Sequence, residues 1–232
     1  MNSVCQIEAA GVSFGKVRAL RDVNLAIHQG ERVALVGSNG SGKSTLLRLL
    51  HGLVAPSVGH RNLHTTLKQA MLFQRPYLMR TTCLNNAALG LWLRGTRWRE
   101  AIQRAMEALL KVELTELAHR SARTLSGGQQ QRLALARAWA MQPDVLLLDE
   151  PTANLDPHAK REVEALMAAL PGEMTLIFSS HNLGQVKRLA TRVIYLESGR
   201  ILADLPVDDF FKGDLLQTNY PAAHLFVKGE TA

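Results

Sequence analysis

Short runs of apolar residues recur along the chain, and each run predicts a strand buried inside a sheet. Between the runs lie longer segments with the composition of helices, and glycine-containing turns separate the two kinds of segment. This alternation predicts an α/β fold. The predicted strands are 32–36, 145–148, 174–178, 192–196 and 201–202, and the predicted helices are 44–50, 130–138 and one that contains 185–190.

Helix-forming residues are concentrated between Arg75 and Arg123, in the middle of the chain. The part that precedes Leu67 has the pattern of short strands, and the chain returns to strands after Gly172. No internal repeat or long linker divides the sequence. We therefore expect one domain with a helical lobe inserted into it.

A glycine-rich segment, Gly37–Thr45, matches the phosphate-binding pattern G-x-x-x-x-G-K-[ST] between a predicted strand and a predicted helix. Glycines allow successive N–H groups to point inward, and the start of a helix favours negative charge. Lys43 is expected to contact the outer phosphates of a nucleotide and the Ser44 hydroxyl to bind Mg²⁺, while Thr45 starts the helix. The predicted nucleotide-binding residues are Gly37, Ser38, Asn39, Gly40, Ser41, Gly42, Lys43, Ser44 and Thr45.

Two acids, Asp149 and Glu150, follow the apolar run Val145–Leu148. In an open parallel sheet, ligands bind at the carboxyl ends of such buried strands. We expect Asp149 to hold Mg²⁺ and Glu150 to polarise the attacking water as a general base. The alternative is a strand that simply leaves the core through two acids, and the phosphate loop upstream favours the functional interpretation.

Further short segments complete a series with these two. They are Met71–Pro76 with Gln74, Leu125–Gln129, Ala153–Asp156, and Phe178–Asn182 with His181. In order and spacing the series resembles that of ATP-binding cassette (ABC) ATPases over nearly the whole chain. The resemblance implies an ATPase that uses ATP and Mg²⁺.

The same resemblance implies a P-loop NTPase (RecA-like) core with an antiparallel β subdomain and an inserted helical subdomain. It divides the single domain, 1–232, into a nucleotide-binding core at 1–74 and 125–232 and a helical subdomain at 75–124. It assigns Gln74 to metal and water binding and to sensing of the γ-phosphate, Asp156 to the D-loop, and His181 to contact with the γ-phosphate.

The string that begins at Ser126 is the segment most typical of ABC proteins. It opens a predicted helix, so its hydroxyl and glycine N–H groups would form a second anion site, in addition to capping that helix. In relatives this site meets the ATP of another subunit, which implies a head-to-tail dimer that sandwiches two nucleotides. The residues of this second site are Ser126, Gly127, Gly128 and Gln129.

Phe14 occupies the position where the family usually has an aromatic residue that stacks on adenine. A core phenylalanine on the N-terminal strand is the competing interpretation. Neither alternative is excluded by the sequence.

The chain has 232 residues, of which 47% are hydrophobic, enough for a sizeable core. No apolar stretch approaches the roughly 20 residues that span a bilayer. Cys5 and Cys83 are isolated, which indicates incidental or buried thiols rather than a metal site or a disulfide framework.

Nine Lys or Arg residues stand against four Glu between Arg75 and Arg123, a local net charge of +5 out of +7 for the chain. The basic lobe could face anionic lipid headgroups or an acidic stretch of a permease, or it could be an ordinary solvated surface. Because basic and aromatic residues are not interleaved as in single-strand binding platforms, no nucleic-acid partner is expected.

Gln74 matches the glutamine of the family's Q-loop. In transporters of the family, a groove beside the Q-loop receives a short helix of a separate membrane subunit. The resemblance thus implies a permease partner, an extracytoplasmic substrate-binding protein, and a peripheral location on the cytoplasmic side of the inner (plasma) membrane. The segments Arg75–Thr82, Asn85–Asn86 and Phe226–Glu230 resemble those of bacterial oxyanion importers, in particular for tungstate and more distantly for molybdate and phosphate.

Two departures from common family members stand out. The segment Pro56–Leu67 is short, which predicts a reduced antiparallel lobe, and there is no room for a large C-terminal regulatory domain.

Two other functions stay open. One is a soluble ABC ATPase of cluster assembly, and the other is an ATP-switched regulator of a cell-envelope complex.

Overall fold

The computed structural model describes residues 3–63 and 66–229, which form two sheets surrounded by helices. The strands are β1 (Ser3–Phe14), β2 (Val17–His28), β3 (Arg32–Val36), β4 (Val58–Leu63), β5 (Gln69–Leu72), β6 (Val145–Leu148), β7 (Thr175–Ser179), β8 (Arg192–Glu197) and β9 (Arg200–Pro206). The α-helices are α1 (Lys43–His51), α2 (Cys83–Leu93), α3 (Trp98–Lys111), α4 (Gly127–Ala140), α5 (Pro157–Ala168), α6 (Leu183–Leu189), α7 (Val207–Phe210), α8 (Gly213–Asn219) and α9 (Pro221–Lys228). Two 3₁₀ turns, Thr115–Leu117 and Ala122–Thr124, lie before α4.

The larger sheet has the strand order β5-β6-β7-β3-β8-β9. Its first five strands are parallel, and β9 closes the edge antiparallel to β8. Leu148 lies in register with Leu72 on one side and Phe178 on the other. The carboxyl ends of β5, β6 and β7 therefore meet at the same edge, and the loop after β3 begins there too.

Alternate residues of the central strands pack on opposite faces of this sheet. Leu146 and Leu148 join a cluster with α4–α6 and the C-terminal helices, whereas Val145 and Leu147 join a cluster with α1, β1 and β2. Both faces of β6 are thus covered, which explains why its sequence is apolar at every position.

The smaller sheet is antiparallel, with the order β2-β1-β4. Four register shifts interrupt the pairing of β1 with β2, so neither strand has a regular alternating pattern. Among the described residues this lobe has three strands, and its reduction relative to common family members stays a prediction. His64 and Thr65 of the short segment Pro56–Leu67 lie outside the described residues.

Helices α2 and α3 and the two 3₁₀ turns pack around a third hydrophobic cluster. Helix α4 contributes Leu133 and Ala136 to this cluster but Leu135 and Ala138 to the cluster under the large sheet. Because α4 belongs to both, the division of the chain at residues 124 and 125 stays a prediction. In the described part of the chain, no helix is long and apolar enough to cross a bilayer.

The structure corrects several details of the sequence-based assignment. Helix α1 begins at Lys43, with Gly42 as its N-cap, rather than at Thr45. Strand β9 runs on to Pro206, and the helices α5, α7, α8 and α9 were not predicted. Of the tail segment that was expected to resemble oxyanion importers, residues 226–228 are helical, whereas Glu230 lies outside the described residues.

Candidate active site

The phosphate loop joins β3 to α1 at the centre of the sheet edge. At Gly37 (φ 145°) an added Cβ would lie 2.1 Å from the carbonyl oxygen of Leu196, so only glycine fits there. Gly42 (φ 108°) caps α1, and a Cβ at this position would lie 2.8 Å from the carbonyl oxygen of Ala19. The loop is therefore fixed by the neighbouring strands in a shape that only these glycines permit.

Lys43 is only 5% exposed and lies inside the curve of the loop. Its Nζ donates hydrogen bonds of 2.9 Å to the carbonyl oxygens of Gly37 and Ser38. Burial lowers the pKa of Lys43, and the nearby carboxylates of Glu150 and Asp149 act in the opposite direction. A phosphate group beside the ammonium would stabilise the protonated form of Lys43 and so oppose the effect of burial. The environment therefore fits an anionic ligand.

Asp149 is 3% exposed and holds two hydroxyl groups at the end of β6. Its Oδ1 accepts hydrogen bonds from Ser44 Oγ (3.0 Å) and from Ser179 Oγ (2.8 Å). Ser179 Oγ also accepts from the backbone N–H of Glu150 at 2.8 Å. Ser179 thus fixes both acids, a role that the sequence analysis missed; the only signal is a hydroxyl residue ending an otherwise apolar strand.

The pairing of Ser44 with Asp149 tests whether Mg²⁺ fits here. Both side chains offer hard oxygen atoms within 3.0 Å of each other, as Mg²⁺ prefers. Within 3–63 and 66–229, no group of three or more His, Cys, Asp or Glu side chains is arranged to hold a metal ion. Such a partial site fits Mg²⁺, which is commonly bound by one or two protein groups together with substrate phosphates. When bound, the ion would neutralise phosphate charge.

Glu150 has both carboxylate oxygens engaged. Oε1 lies 2.6 Å from Nε2 of His181, and Oε2 accepts a hydrogen bond of 2.9 Å from Nε2 of Gln74. Its backbone is left-handed (φ 46°), an uncommon conformation for a residue other than glycine that occurs often at functional sites. The structure therefore brings the three residues predicted to be catalytic into direct contact.

The loop that carries His181 is supported from below by a buried polar network. Ser180 Oγ donates to Oε1 of Gln185 at 2.7 Å, and Nε2 of Gln185 donates to Thr152 Oγ1 at 3.2 Å. Gln185 is fully buried, so this network is protected from water. It ties the His181 loop to the loop after Glu150, a connection that the sequence did not reveal.

A cavity of about 520 Å³ opens beside the phosphate loop. Of the predicted site residues, Gln74, Glu150 and the loop from Asn39 to Thr45 line it. Residues Val17, Arg18, Ala19 and Arg21 of β2 also line it, and the sequence analysis had not selected them. Arg18 and Arg21 bring two positive charges to the cavity beside the phosphate loop, which makes it suitable for an anionic ligand.

Phe14 does not line this cavity. Its side chain is 50% exposed at the end of β1, which rules out the interpretation as a core phenylalanine. The exposed ring would be available for stacking, but adenine binding by Phe14 stays a prediction. Gly37 and Ser38 also lie off the cavity lining, where they hold Lys43 by their carbonyl groups.

Ser126 is the N-cap of α4 and forms a capping box. Its hydroxyl accepts from the N–H of Gln129, whose side chain accepts from the N–H of Ser126. Ser126 and Gly127 are exposed, and none of the four residues from Ser126 to Gln129 lines the cavity at the phosphate loop. Within one chain, the two predicted anion sites are therefore separate.

Asp156, the predicted D-loop acid, is the N-cap of α5. It accepts hydrogen bonds from the N–H groups of Ala159 (3.0 Å) and His158 (2.9 Å), and these bonds lower its pKa. Its position in the described chain thus has a structural explanation of its own.

A second concavity of about 660 Å³ separates the sheet core from α2. Several large apolar side chains are exposed along it, including Phe73 (40%), Tyr77 (84%), Met79 (44%) and Leu93 (70%). The basic residues in its lining are His51, Arg94 and Arg137, and its lining contains no carboxylate. We call this concavity the Q-loop groove, because Gln74 lies between two of its lining residues, Phe73 and Pro76.

Comparison with known proteins agrees with this geometry. A sequence model of the family described as ABC transporter matches residues 20–153. The chain is 40% identical over 218 residues to the glutamine transport ATP-binding protein GlnQ of Escherichia coli (strain K12), covering 85% of this chain and 90% of that protein. It is 37% identical to the phosphonates import ATP-binding protein PhnC of Stutzerimonas stutzeri, covering 97% and 94%.

Among solved structures, the dimeric post-hydrolysis state of the ATP-binding cassette MJ0796, bound to ADP and Pi, superposes with a TM-score of 0.79. The sequence identity is 29%, and the match covers 88% of this chain and 98% of that one. The chain belongs to the ABC transporter family. It is an ATP-binding subunit of that family, an ATPase whose hydrolysis of ATP is coupled to transport.

Proposed function

We propose that this chain energises an importer, and that Glu150 is its general base. The observation that carries the proposal is the cluster at the sheet edge, where Lys43, Ser44 and Glu150 line one cavity and Asp149 is hydrogen-bonded to Ser44. Lys43 and the loop N–H groups bind the phosphates of ATP. Ser44 and Asp149 would hold the Mg²⁺ that accompanies the nucleotide, with Gln74 as an additional ligand.

In this proposal the contacts of Glu150 rearrange during the cycle. The carboxylate starts with one oxygen on His181 and the other on Gln74. When ATP fills the cavity, His181 and Gln74 turn towards the γ-phosphate and the carboxylate is released to take a proton from the attacking water. Hydrolysis is thereby restricted to the occupied site.

We further propose a head-to-tail dimer. The exposed anion site at Ser126 and Gly127 has no partner within the described part of the same chain that could supply phosphate. The related cassette MJ0796 is dimeric with ADP and Pi. A two-fold dimer that places Ser126 of each copy over the phosphate loop of the other would complete both sites.

A permease subunit is the proposed partner at the Q-loop groove. The groove combines exposed aromatic, methionine and leucine side chains with a concave shape, which suits the apolar face of an inserted helix. Gln74 lies beside it, so movement of the inserted helix would reach the γ-phosphate site directly. The chain would then be held peripherally at the cytoplasmic side of the inner membrane, next to an extracytoplasmic substrate-binding protein.

For the cargo we propose a small anion, with an oxyanion as the first class to test. Similarity to a phosphonate import protein supports the oxyanion class, and similarity to a glutamine transport protein supports an amino acid as the rival. Within the oxyanions, the segments Arg75–Thr82, Asn85–Asn86 and Phe226–Glu230 favour tungstate over molybdate and phosphate. Support for tungstate comes from those segments alone.

Affinity purification of the tagged chain from detergent-solubilised membranes of its native host tests the proposal. A co-eluting multi-span permease, identified by mass spectrometry, is the expected result. A soluble partner without a membrane protein would favour cluster assembly, and a permease-like complex without cargo-stimulated hydrolysis would favour an envelope regulator. Calorimetric titration of the co-purified binding protein with tungstate, molybdate, phosphate, a phosphonate and glutamine then identifies the cargo.

A further inference from the structure

The corner between α2 and α3 exposes two tryptophans side by side. Trp92 is 50% exposed and Trp98 is 41% exposed, and their rings meet edge to face with centroids 6.2 Å apart. Leu93, next to them, is 70% exposed. Exposed clusters of large apolar side chains are uncommon on soluble surfaces and mark places where another phase or molecule is contacted.

The same corner carries three arginines, Arg94, Arg97 and Arg99, all exposed. In the part of the chain that the structure describes, none of the three guanidinium groups makes an ion pair or a side-chain hydrogen bond. The nearest acid in sequence, Glu100, is already paired with Arg104 at 2.5 Å. The corner therefore keeps an uncompensated charge of +3 beside the tryptophans.

The backbone of the corner is well fixed. The N–H groups of Gly95 and Thr96 donate to the carbonyl oxygens of Trp92 and Leu91, and Gly95 adopts a left-handed conformation (φ 90°). The backbone that carries these aromatic and cationic side chains is thus already ordered before a partner binds.

We propose that this corner, Trp92–Arg99, is a contact for an anionic membrane surface. Tryptophan and arginine are the side chains that suit the headgroup region, since each joins an apolar or flat body to a polar group. An anionic leaflet attracts unpaired cations close to it. An inserted helix has the Q-loop groove available to it instead.

The position of the corner supports the same occupant. Leu93 and Arg94 also line the Q-loop groove, so the corner continues the face that is proposed to meet the permease. The orientation towards the bilayer rests on that proposed function. Binding to lipid vesicles does not, because it is measured on the isolated full chain without a permease.

The test is co-sedimentation of the full chain with vesicles of phosphatidylcholine alone or with 30% phosphatidylglycerol, the latter fraction being about that needed for a strongly anionic surface. Binding is expected only to the anionic vesicles, and it should weaken as salt is raised. The double variant Arg97→Gln/Arg99→Gln should lose about thirtyfold in partition coefficient, the size expected for two cations near such a surface. The control Lys160→Gln/Arg161→Gln removes the same charge from α5 and should bind like the wild type.

Tryptophan fluorescence locates the contact independently of those variants. In a Trp139→Phe background, all tryptophan emission, excited selectively at the red edge of the absorption band, comes from Trp92 and Trp98. A blue shift and protection from acrylamide on adding anionic vesicles are expected. The proposal is overturned if the chain does not bind, if neutral vesicles bind equally well, if the α5 control loses as much binding, or if the emission does not change. Absence of binding while a permease co-purifies would leave the corner to an acidic segment of that protein and leave the proposed function intact.

Discussion

At the scale of single residues, the proposed role of Glu150 depends on its two contacts. Each carboxylate oxygen has one contact, Oε1 with His181 and Oε2 with Gln74. Each oxygen also has a further lone pair, with which the proposed general base would accept a proton. The same two contacts position the carboxylate 2.6 Å and 2.9 Å from the groups that would report an arriving γ-phosphate.

Replacing Glu150 by glutamine should leave ATP binding largely intact and reduce hydrolysis by about 10²- to 10⁴-fold, since the amide keeps the shape but cannot accept a proton. Single-turnover hydrolysis and equilibrium ATP binding measure the two effects separately. The exposed Glu173→Gln serves as the control and should behave as wild type. Turnover at the wild-type rate in the Glu150 variant would remove this residue from the mechanism.

Lys43→Ala should instead weaken ATP binding itself, by about tenfold to a hundredfold. The side chain is buried against the phosphate loop, and hydrogen bonds to charged groups contribute about 1.5–3 kcal/mol each. Calorimetric titration with ATP measures the loss, and circular dichroism verifies the fold. Lys160→Ala, on α5, is the control. Wild-type affinity in the Lys43 variant would contradict the role of the loop.

His51 gives the fold a pH dependence. Burial lowers its pKa, and the nearby Arg61 and Arg94 lower it further. The unfolded chain therefore binds a proton at a higher pH than the folded chain does, and the free energy of unfolding decreases as the pH falls below about 6.5. Well above that pH, His51 is neutral in both the folded and the unfolded chain, and it causes no loss of stability.

Urea unfolding at pH 7.5 and at pH 5.5 tests this dependence. The loss of stability between the two values should be smaller in His51→Gln than in the wild type, because the group that titrates is gone. The exposed His119→Gln should keep the wild-type difference. An equal loss in the wild type and in the His51 variant would show that His51 is not the group responsible.

At the scale of elements, the start of α4 combines two demands. Gly128 is buried against α5, where a Cβ would lie 2.7 Å from the Cβ of Ala159. Gly127 faces outward, and its nearest neighbour would be Leu155 Cδ2 at an ordinary 3.8 Å. Gly128 is therefore needed for packing against α5. Gly127 instead belongs to the exposed surface that is proposed to meet the partner's ATP.

This difference predicts opposite behaviour of two matched variants. Gly128→Ala should destabilise the fold by about 1–3 kcal/mol through overpacking, lowering the melting temperature by several degrees. Gly127→Ala should melt like the wild type but hydrolyse ATP poorly, since its methyl group would stand in the dimer interface. Thermal unfolding and ATPase assays on both variants measure this. Equal melting temperatures for the two variants would refute the packing argument.

The elements also show how far a sequence can be interpreted. Strands β3, β6 and β7 were predictable because they are covered on both faces and hence apolar throughout. Their shared edge explains why Asp149, Glu150 and His181 meet. In contrast, β1 and β2 pair with several register shifts, and α7–α9 are short helices whose packing depends on contacts such as Phe226 on Tyr195. Local patterns do not reveal such long-range contacts.

The candidate site was predictable to a similar degree. Its charged members followed from motifs, because each chemical role needs a particular side chain at a strand end. Ser179 and Gln185 did not, since they act through hydrogen bonds to other residues, and hydroxyl or amide side chains are common. Arg18 was missed because β2 approaches the phosphate loop only in the folded chain.

At the scale of the whole molecule, the site is complete only in part. The phosphate loop lines a cavity, whereas the exposed Ser126 belongs to a different surface of the same chain. In the proposed two-fold dimer, Ser126 of each copy faces the phosphate loop of the other copy, so two different positions meet at each site. Cross-linking can therefore distinguish a head-to-tail dimer from one in which identical positions face each other.

The two native cysteines are not expected to form cross-links of their own in this experiment. Cys5 and Cys83 are both buried, and burial raises the pKa of the Cys5 thiol to about 11, so neither is readily oxidised. The exposed Asn39 and Ser126 are suitable positions for new cysteines. Each is introduced alone and both are introduced together. All of these variants also carry Glu150→Gln, so that ATP is not hydrolysed and the proposed ATP-bound dimer persists.

Mild oxidation with ATP and Mg²⁺ should give a covalent dimer from the double variant Asn39→Cys/Ser126→Cys and from an equimolar mixture of the two single variants. Neither single variant should form a dimer by itself, because in a head-to-tail arrangement each new thiol faces the other position. Omitting ATP should abolish the product, since the nucleotide joins the two surfaces. A dimer from either single variant alone, or the same yield without nucleotide, would contradict the proposed sandwich. The cross-linked band on a non-reducing gel thus tests the assembly independently of the permease, the cargo and the rate of hydrolysis.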